Sequence, residues 1–245
     1  AQRGIDHFAV WLDQCRKRQV EGWLSIRMND SHYTQEPRCH WHNRFWLEHP
    51  EWRLDAGGRP GRSGLDFSHR AVREHYLALA RELFERYDMD GLELDWMRWG
   101  FALPFGRERA LAGVITDFMA EIRDLSTICS KRTGRPVRLG ARVPGDLQSS
   151  LSLGYDAVDW IQSGLIDQIV PSSFYAQQWL DYPVETWRAV IDDRPVDLAM
   201  CLCAEIRDPN TGKPLPDSPA TYRGAAGAAL ARGADQIYLF NTCYR

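Results

Sequence analysis

Apolar positions along the chain fall into two alternating rhythms. Ile5, Phe8, Ala9, Leu12 and Cys15 recur at helical spacing and predict a first helix from about Ile5 to Val20. Gly22 to Asn29 then reads as a strand, followed by a long polar and aromatic loop over 30–68. The rhythm resumes with a helix over 69–87, a strand over 91–97, a helix over 107–131 and a strand over 136–143. Shorter units follow: helix 155–163, strand 166–172, helix 183–191 with a proline in its first turn, and strand 196–203. An Ala- and Gly-rich helix over 219–232 and a strand over 236–241 close the pattern. Strands alternating with helices predict a parallel sheet with right-handed crossovers.

Such an alternation fits an open doubly wound sheet or a closed barrel. No Gly-rich phosphate loop follows any strand, so the nucleotide-binding fingerprint is missing. Polar and aromatic residues instead gather just past the strand C-termini: Asn29-Asp30, Asp95-Trp96, Arg142, Ser172-Ser173-Tyr175, Glu205 and Asn241. A ring of functional groups contributed by several strand ends is the active face of a (β/α)8 barrel. The strand count is two short of eight. The expectation is therefore one partial barrel domain over residues 1–245, with the first two strands and the last helix outside it.

The strand over 91–97 departs from a purely apolar run. Glu93 and Asp95 alternate with Leu92, Leu94 and Trp96, so the two acids share one face and the apolar residues the other. Carboxylates on a buried strand are costly unless partnered, which marks this strand as a site. Arg27 or Arg142, on the neighbouring strands, could pair with the deeper acid, Glu93.

Charge and composition narrow the classes. The 245 residues carry a formal net charge of -3, which exerts no global pull toward nucleic acid. No apolar run reaches the roughly 18 residues of a membrane span. No signal peptide is visible at the N-terminus, and neither the compartment nor the oligomeric state is defined by the sequence. Six cysteines show no CxxC pair, and Cys201 and Cys203 read as small core hydrophobes. His40 and His42 form only an i, i+2 pair in a loop, so no metal site and no cofactor is assigned.

Two carboxyl groups flanking a glycosidic bond suffice for its hydrolysis, about 5 Å apart for retention and about 6.5–9.5 Å for inversion. Asp95 is the first candidate, with Glu205 or Glu93 as its partner. Ten tryptophans fit the same substrate class, because pyranose rings stack their C–H faces on aromatic rings. Trp41, Trp46, Trp52, Trp96, Trp99 and Trp179 lie near strand ends. Arg27, Asn29, Asp30, His32, Trp96, Arg98, Arg142, Tyr175 and Asn241 are the candidates to bind the sugar or orient the acids.

Asp90-Gly-Leu-Glu-Leu-Asp-Trp-Met97 resembles the Asp-Gly-x-Asp-x-Asp-x-Glu strand of family 18 chitinases. Met97 stands where that family has its catalytic Glu, and methionine donates no proton, so chitinase chemistry is not expected. A more extensive resemblance is to bacterial glycosyl hydrolase-like family 10 barrels and their uncharacterised relatives. It rests on Ser25-Ile-Arg-Met-Asn-Asp30, Phe45-Trp-Leu-Glu-His-Pro-Glu-Trp-Arg53, Leu65-Asp-Phe-Ser-His69, Asp88 to Arg98 and Gly233 to Asn241. That resemblance implies a (β/α)8 barrel, a carbohydrate substrate and Asp95 as acid or nucleophile. The competing expectation is a carbohydrate-binding barrel that has lost its acid. A metal-dependent hydrolase would need several histidines at strand ends and ranks last.

Overall fold

Six parallel strands form one sheet in the computed structural model, which describes residues 4–34, 36, 39–54, 63–97, 99–173, 182–203, 206, 207, 211, 213–215 and 218–241. The strands and helices alternate as α1 (His7–Lys17), β1 (Trp23–Arg27), α2 (Arg44–Glu48), α3 (Arg70–Arg86), β2 (Gly91–Asp95), α4 (Ala112–Thr133) and β3 (Arg138–Pro144). Next come α5 (Leu147–Ser152), α6 (Ala157–Gln162), β4 (Gln168–Ser172), α7 (Val184–Ile191) and β5 (Asp197–Cys203). A two-residue antiparallel ladder joins β6 (Ile206–Arg207) to β7 (Pro214–Leu215), and α8 (Pro219–Ala231) and β8 (Gln236–Phe240) complete the order. The sheet runs β1-β2-β3-β4-β5-β8 with every neighbouring pair parallel.

Local sequence explains where the helices start and stop. Side chains of Asp6, Asn43, Asp146, Asp156 and Ser218 accept backbone N–H groups at the starts of α1, α2, α5, α6 and α8. Gly134 ends α4 at φ 72°, a left-handed conformation that costs glycine little. The 30–68 stretch, expected as loop, contains α2 and a 3-10 turn at Pro50–Trp52. Five residues are too few to show helical periodicity, so α2 is held by its Asn43 cap and by buried Trp46.

Alternation along the strands sorts side chains into two layers. Leu92 and Leu94 of β2, Leu198 and Met200 of β5, and Trp96 beyond β2 join the large core cluster shared with helices α3 and α4. There they meet Val72, Tyr76, Ala80 and Phe84 of α3 and Ile115, Phe118, Met119 and Ile122 of α4. Each such apolar side chain contributes roughly 1.5–3 kcal/mol on burial. The opposite face carries a second cluster of Val170, Ala199, Cys201 and Cys203 with Tyr238 and Phe240.

The sheet is curled around that second face. Three strands separate β2 from β8 in the sheet, yet Tyr238 Oη of β8 lies 3.1 Å from Glu93 Oε1 of β2. A flat sheet would hold those strands nearly 20 Å apart, at roughly 4.8 Å per strand. The described strands thus form a curled, partial barrel with helices outside. Among the described residues, β1 and β8 each pair on one side only. None of the described helices is long and apolar enough to cross a membrane.

Candidate functional site

Register places the charged residues of the concave face. β1 pairs Ser25 with Glu93 and Arg27 with Asp95, and β2 pairs Glu93 with Gly140 and Asp95 with Arg142. The cation therefore lies opposite Asp95, whereas Glu93 faces a glycine. The sequence suggested Arg27 or Arg142 as the partner of Glu93; the observed ion pair is Arg142 with Asp95.

Arg142 Nη1 donates to Asp95 Oδ1 at 2.9 Å and to Oδ2 at 3.1 Å. Its Nη2 donates to Ser172 Oγ at 2.8 Å, and its guanidinium carbon lies 3.7 Å from the centre of the Phe240 ring. Asp95 Oδ1 also accepts the backbone N–H of Met97 at 2.9 Å, which ties the carboxylate to its own strand end. Both side chains are shut away from solvent, at 1% exposed for Arg142 and 7% for Asp95. Burial alone would lower the pKa of Arg142, but the charge of Asp95 and neighbouring groups outweighs it and holds the cation protonated.

Glu93 sits one pleat below among neutral partners. Its Oε1 accepts Ser25 Oγ at 2.7 Å and Tyr238 Oη at 3.1 Å. Burial, and then the charge of Asp95, push the Glu93 carboxyl up to about 7, against the opposing pull of Ser25, Arg142 and Tyr238. The strand thus carries one acid inside an ion pair and one that holds its proton near neutrality. A carboxyl that keeps its proton near neutrality suits the role of a general acid.

A second polar group surrounds the end of β1. Arg27 Nη1 donates to Asp30 Oδ2 at 2.9 Å, and Asp30 Oδ1 contacts both the backbone N–H and the ring Nδ1 of His32. Burial works against the charge of Asp30, but the His32 N–H and Arg27 outweigh it and lower its pKa. Trp99 Nε1 lies 3.2 Å from His32 Nδ1. Arg27, Asp30, His32, Trp41, Asn43 and other residues line a cavity of about 110 Å³. Trp41 beside it is 61% exposed, while Trp46 is buried under His42 with the rings 4.3 Å apart.

The remaining sequence candidates take varied positions. Asn29 is buried, with its amide nitrogen donating to the carbonyls of Leu65 and Phe101 and its Oδ1 accepting the Leu65 N–H. Trp96 faces the helix layer, packed on Phe67, Tyr155 and Trp160. Asn241 follows β8 with φ 57°. Arg98, Tyr175 and Glu205, with Trp179, lie outside the described residues. Ser172 belongs to the strand-end ring expected from the sequence, whereas Ser25, Tyr238 and Phe240 are not among the sequence candidates. Two-residue alternation from Arg27 picks out Ser25, but Tyr238 reaches Glu93, and Phe240 reaches Arg142, only through the curl. Among the described residues, no group of three or more His, Cys, Asp and Glu is arranged to hold a metal ion.

No family model matches the sequence, and no curated protein matches it. Solved structures do match in fold. A GH36 α-galactosidase variant from Geobacillus stearothermophilus, in complex with stachyose, aligns at TM-score 0.51 and 14% identity, over 97% of this chain and 30% of that one. An α-amylase from Geobacillus thermoleovorans, complexed with acarbose, aligns at TM-score 0.50 and 15% identity, over 96% of this chain and 52% of that one. An Ipomoea carnea chitinase aligns at TM-score 0.42 and 15% identity, over 70% of this chain and 63% of its own. The chain thus spans less than two thirds of the length of each.

The α-galactosidase and the α-amylase are glycoside hydrolases of TIM-barrel fold. The architecture defined here is accordingly a curled, partial α/β barrel similar in fold to TIM barrels, with its buried acids on the concave face.

Proposed function

We propose that this chain is part of a (β/α)8 barrel that hydrolyses glycosidic bonds in a poly- or oligosaccharide. The carrying observation is the Glu93–Asp95 pair on one face of β2, with Asp95 clamped by Arg142 and the Glu93 carboxyl pushed up to about 7. The fold likeness to glycoside hydrolases agrees with the reading, and so does the position of Asp95 at a strand C-terminus.

In this reading Asp95 is the carboxylate that faces the developing positive charge of the sugar ring. Glu93, or Glu205 beyond β5, is the group that gives a proton to the departing glycosidic oxygen. A water supplies the hydroxyl that the sugar gains. Arg142 positions Asp95, and Ser25 and Tyr238 position Glu93. Arg27, Asp30 and His32, with Asn29 beneath them, form the wall against which sugar hydroxyls bind. Arg98, Tyr175 and Asn241 complete the candidate set from the sequence, whereas Trp96, buried in the helix layer, is a packing residue instead. The test is Asp95→Asn: release of reducing ends from oligosaccharides is lost while sugar binding persists. Hydrolysis at the native rate in a folded Asp95→Asn protein overturns the assignment.

Two observations favour a second reading, a carbohydrate-binding barrel without turnover. Both acids are nearly fully buried and engage protein hydrogen-bond donors, and Met97 stands one pleat beyond Asp95 where the chitinase motif has its acid. Glycan binding by the native protein with no product from any bound glycan supports this reading over the first.

A further inference from the structure

The concave face also carries a thiol pair that the proposed reaction does not use. Cys201 and Cys203 are two residues apart on β5 and project onto the same side, where both are completely buried. Their sulfurs are 3.8 Å apart. Cys203 Sγ also lies 3.4 Å from Ser173 Oγ.

We propose that Cys201 and Cys203 form a dithiolate site for a soft divalent cation of the zinc and cadmium class. Thiolate–zinc bonds are about 2.3 Å long, so sulfurs spaced as these are subtend an angle of about 110° at the ion, close to tetrahedral. The spacing is met without any backbone movement. A disulfide, by contrast, requires sulfurs at about 2.05 Å, nearly 2 Å closer than they stand. The pairing of Cys201 with Tyr238 and Cys203 with Phe240 holds β5 extended against that closure.

Charge is consistent with the assignment. Cation binding displaces the thiol protons to solvent, and each sulfur donates a lone pair to the ion. No electron is transferred. The resulting dithiolate complex of a divalent ion is neutral, which suits its place near Arg142, whose charge is already paired with Asp95. Ser173 Oγ or water fills the positions the two sulfurs leave open.

The test titrates the reduced, metal-free full chain with cadmium chloride and follows the thiolate-to-cadmium charge-transfer absorption. One equivalent is expected to saturate the band, and Cys201→Ala and Cys203→Ala each abolish it while Cys129→Ala retains it. Circular dichroism confirms that each variant is folded. A variant with Cys15, Cys39, Cys129 and Cys243 all replaced by serine keeps the pair untouched and is expected to retain the one-equivalent band. Loss of the band from that variant when folded, its persistence in folded Cys201→Ala or Cys203→Ala, or its absence from the native chain overturns the proposal.

Discussion

Arg142 on β3 holds both carboxylate oxygens of Asp95 on β2, at 2.9 and 3.1 Å, with both residues buried. Desolvation makes such a pair a weak net stabiliser, yet removing one member leaves the other as an uncompensated charge. Arg142→Met should therefore lower the unfolding free energy by about 3–5 kcal/mol. Adding Asp95→Asn to it should cost less than the two single changes summed, because the orphaned charge is gone. Urea denaturation of the two single variants and the double variant measures this. Strict additivity would mean that the pair is not coupled.

Glu93 supplies a pH dependence of stability with a definite sign. Its folded pKa, about 7, lies above the ordinary value of 4.5, so the folded chain binds the proton more tightly than the unfolded one. Stability from this group is complete below about pH 4.5, declines as pH rises through the interval and is lost above about pH 7. At 1.36 kcal/mol per pKa unit, the loss is on the order of 3 kcal/mol. Glu93→Gln keeps a neutral side chain at every pH and should flatten that slope. Unfolding free energies of the two proteins between pH 5 and pH 8 give the comparison, and equal slopes would count against the placement of Glu93 among neutral partners.

These two acids also show how far the sequence carries. Period-two alternation was sufficient to put Glu93 and Asp95 on one face, because strand parity depends on backbone geometry alone. It could not choose the partner of Arg142, since that depends on register: a slip of two residues would pair Arg142 with Glu93 instead. The parallel sheet was legible in the apolar runs of β2 to β5 and the amphipathic helices between them. Tyr238 was not, because its approach to Glu93 spans 145 residues and requires the sheet to curl. The small helices α2 and α5 escaped notice for a different reason: each rests on one capping side chain and too few turns to establish a period.

Gly64 tests the loop that backs the end of β1. A Cβ added there would lie 2.4 Å from Asn29 Oδ1, and the Asn29 amide is fixed by the backbone of Leu65 and Phe101. Gly64→Ala should force that amide out of place and destabilise the chain by about 1–3 kcal/mol, the usual penalty for overpacking a tight site. Pairing it with Asn29→Ala, which removes the clash, should cost less than the sum of the two single changes. Thermal denaturation of the three variants reads the coupling.

Trp41 separates binding from catalysis on the proposed sugar-facing side. Its ring is 61% exposed, borders the cavity formed with Arg27, Asp30, His32 and Asn43, and meets Tyr33 edge-on at 5.6 Å between ring centres. An exposed ring contributes little to the fold, so Trp41→Ala should leave thermal stability nearly unchanged. Loss of a stacking surface worth about 0.5–1.5 kcal/mol beyond its buried area should weaken oligosaccharide binding roughly tenfold. If Trp41 acts only in binding, KM rises with kcat preserved, since contact made equally in ground state and transition state lowers KM alone. Calorimetric titration with an oligosaccharide bound by the native protein, alongside kinetics on the same compound, reads both parameters. Unchanged affinity would remove Trp41 from the site.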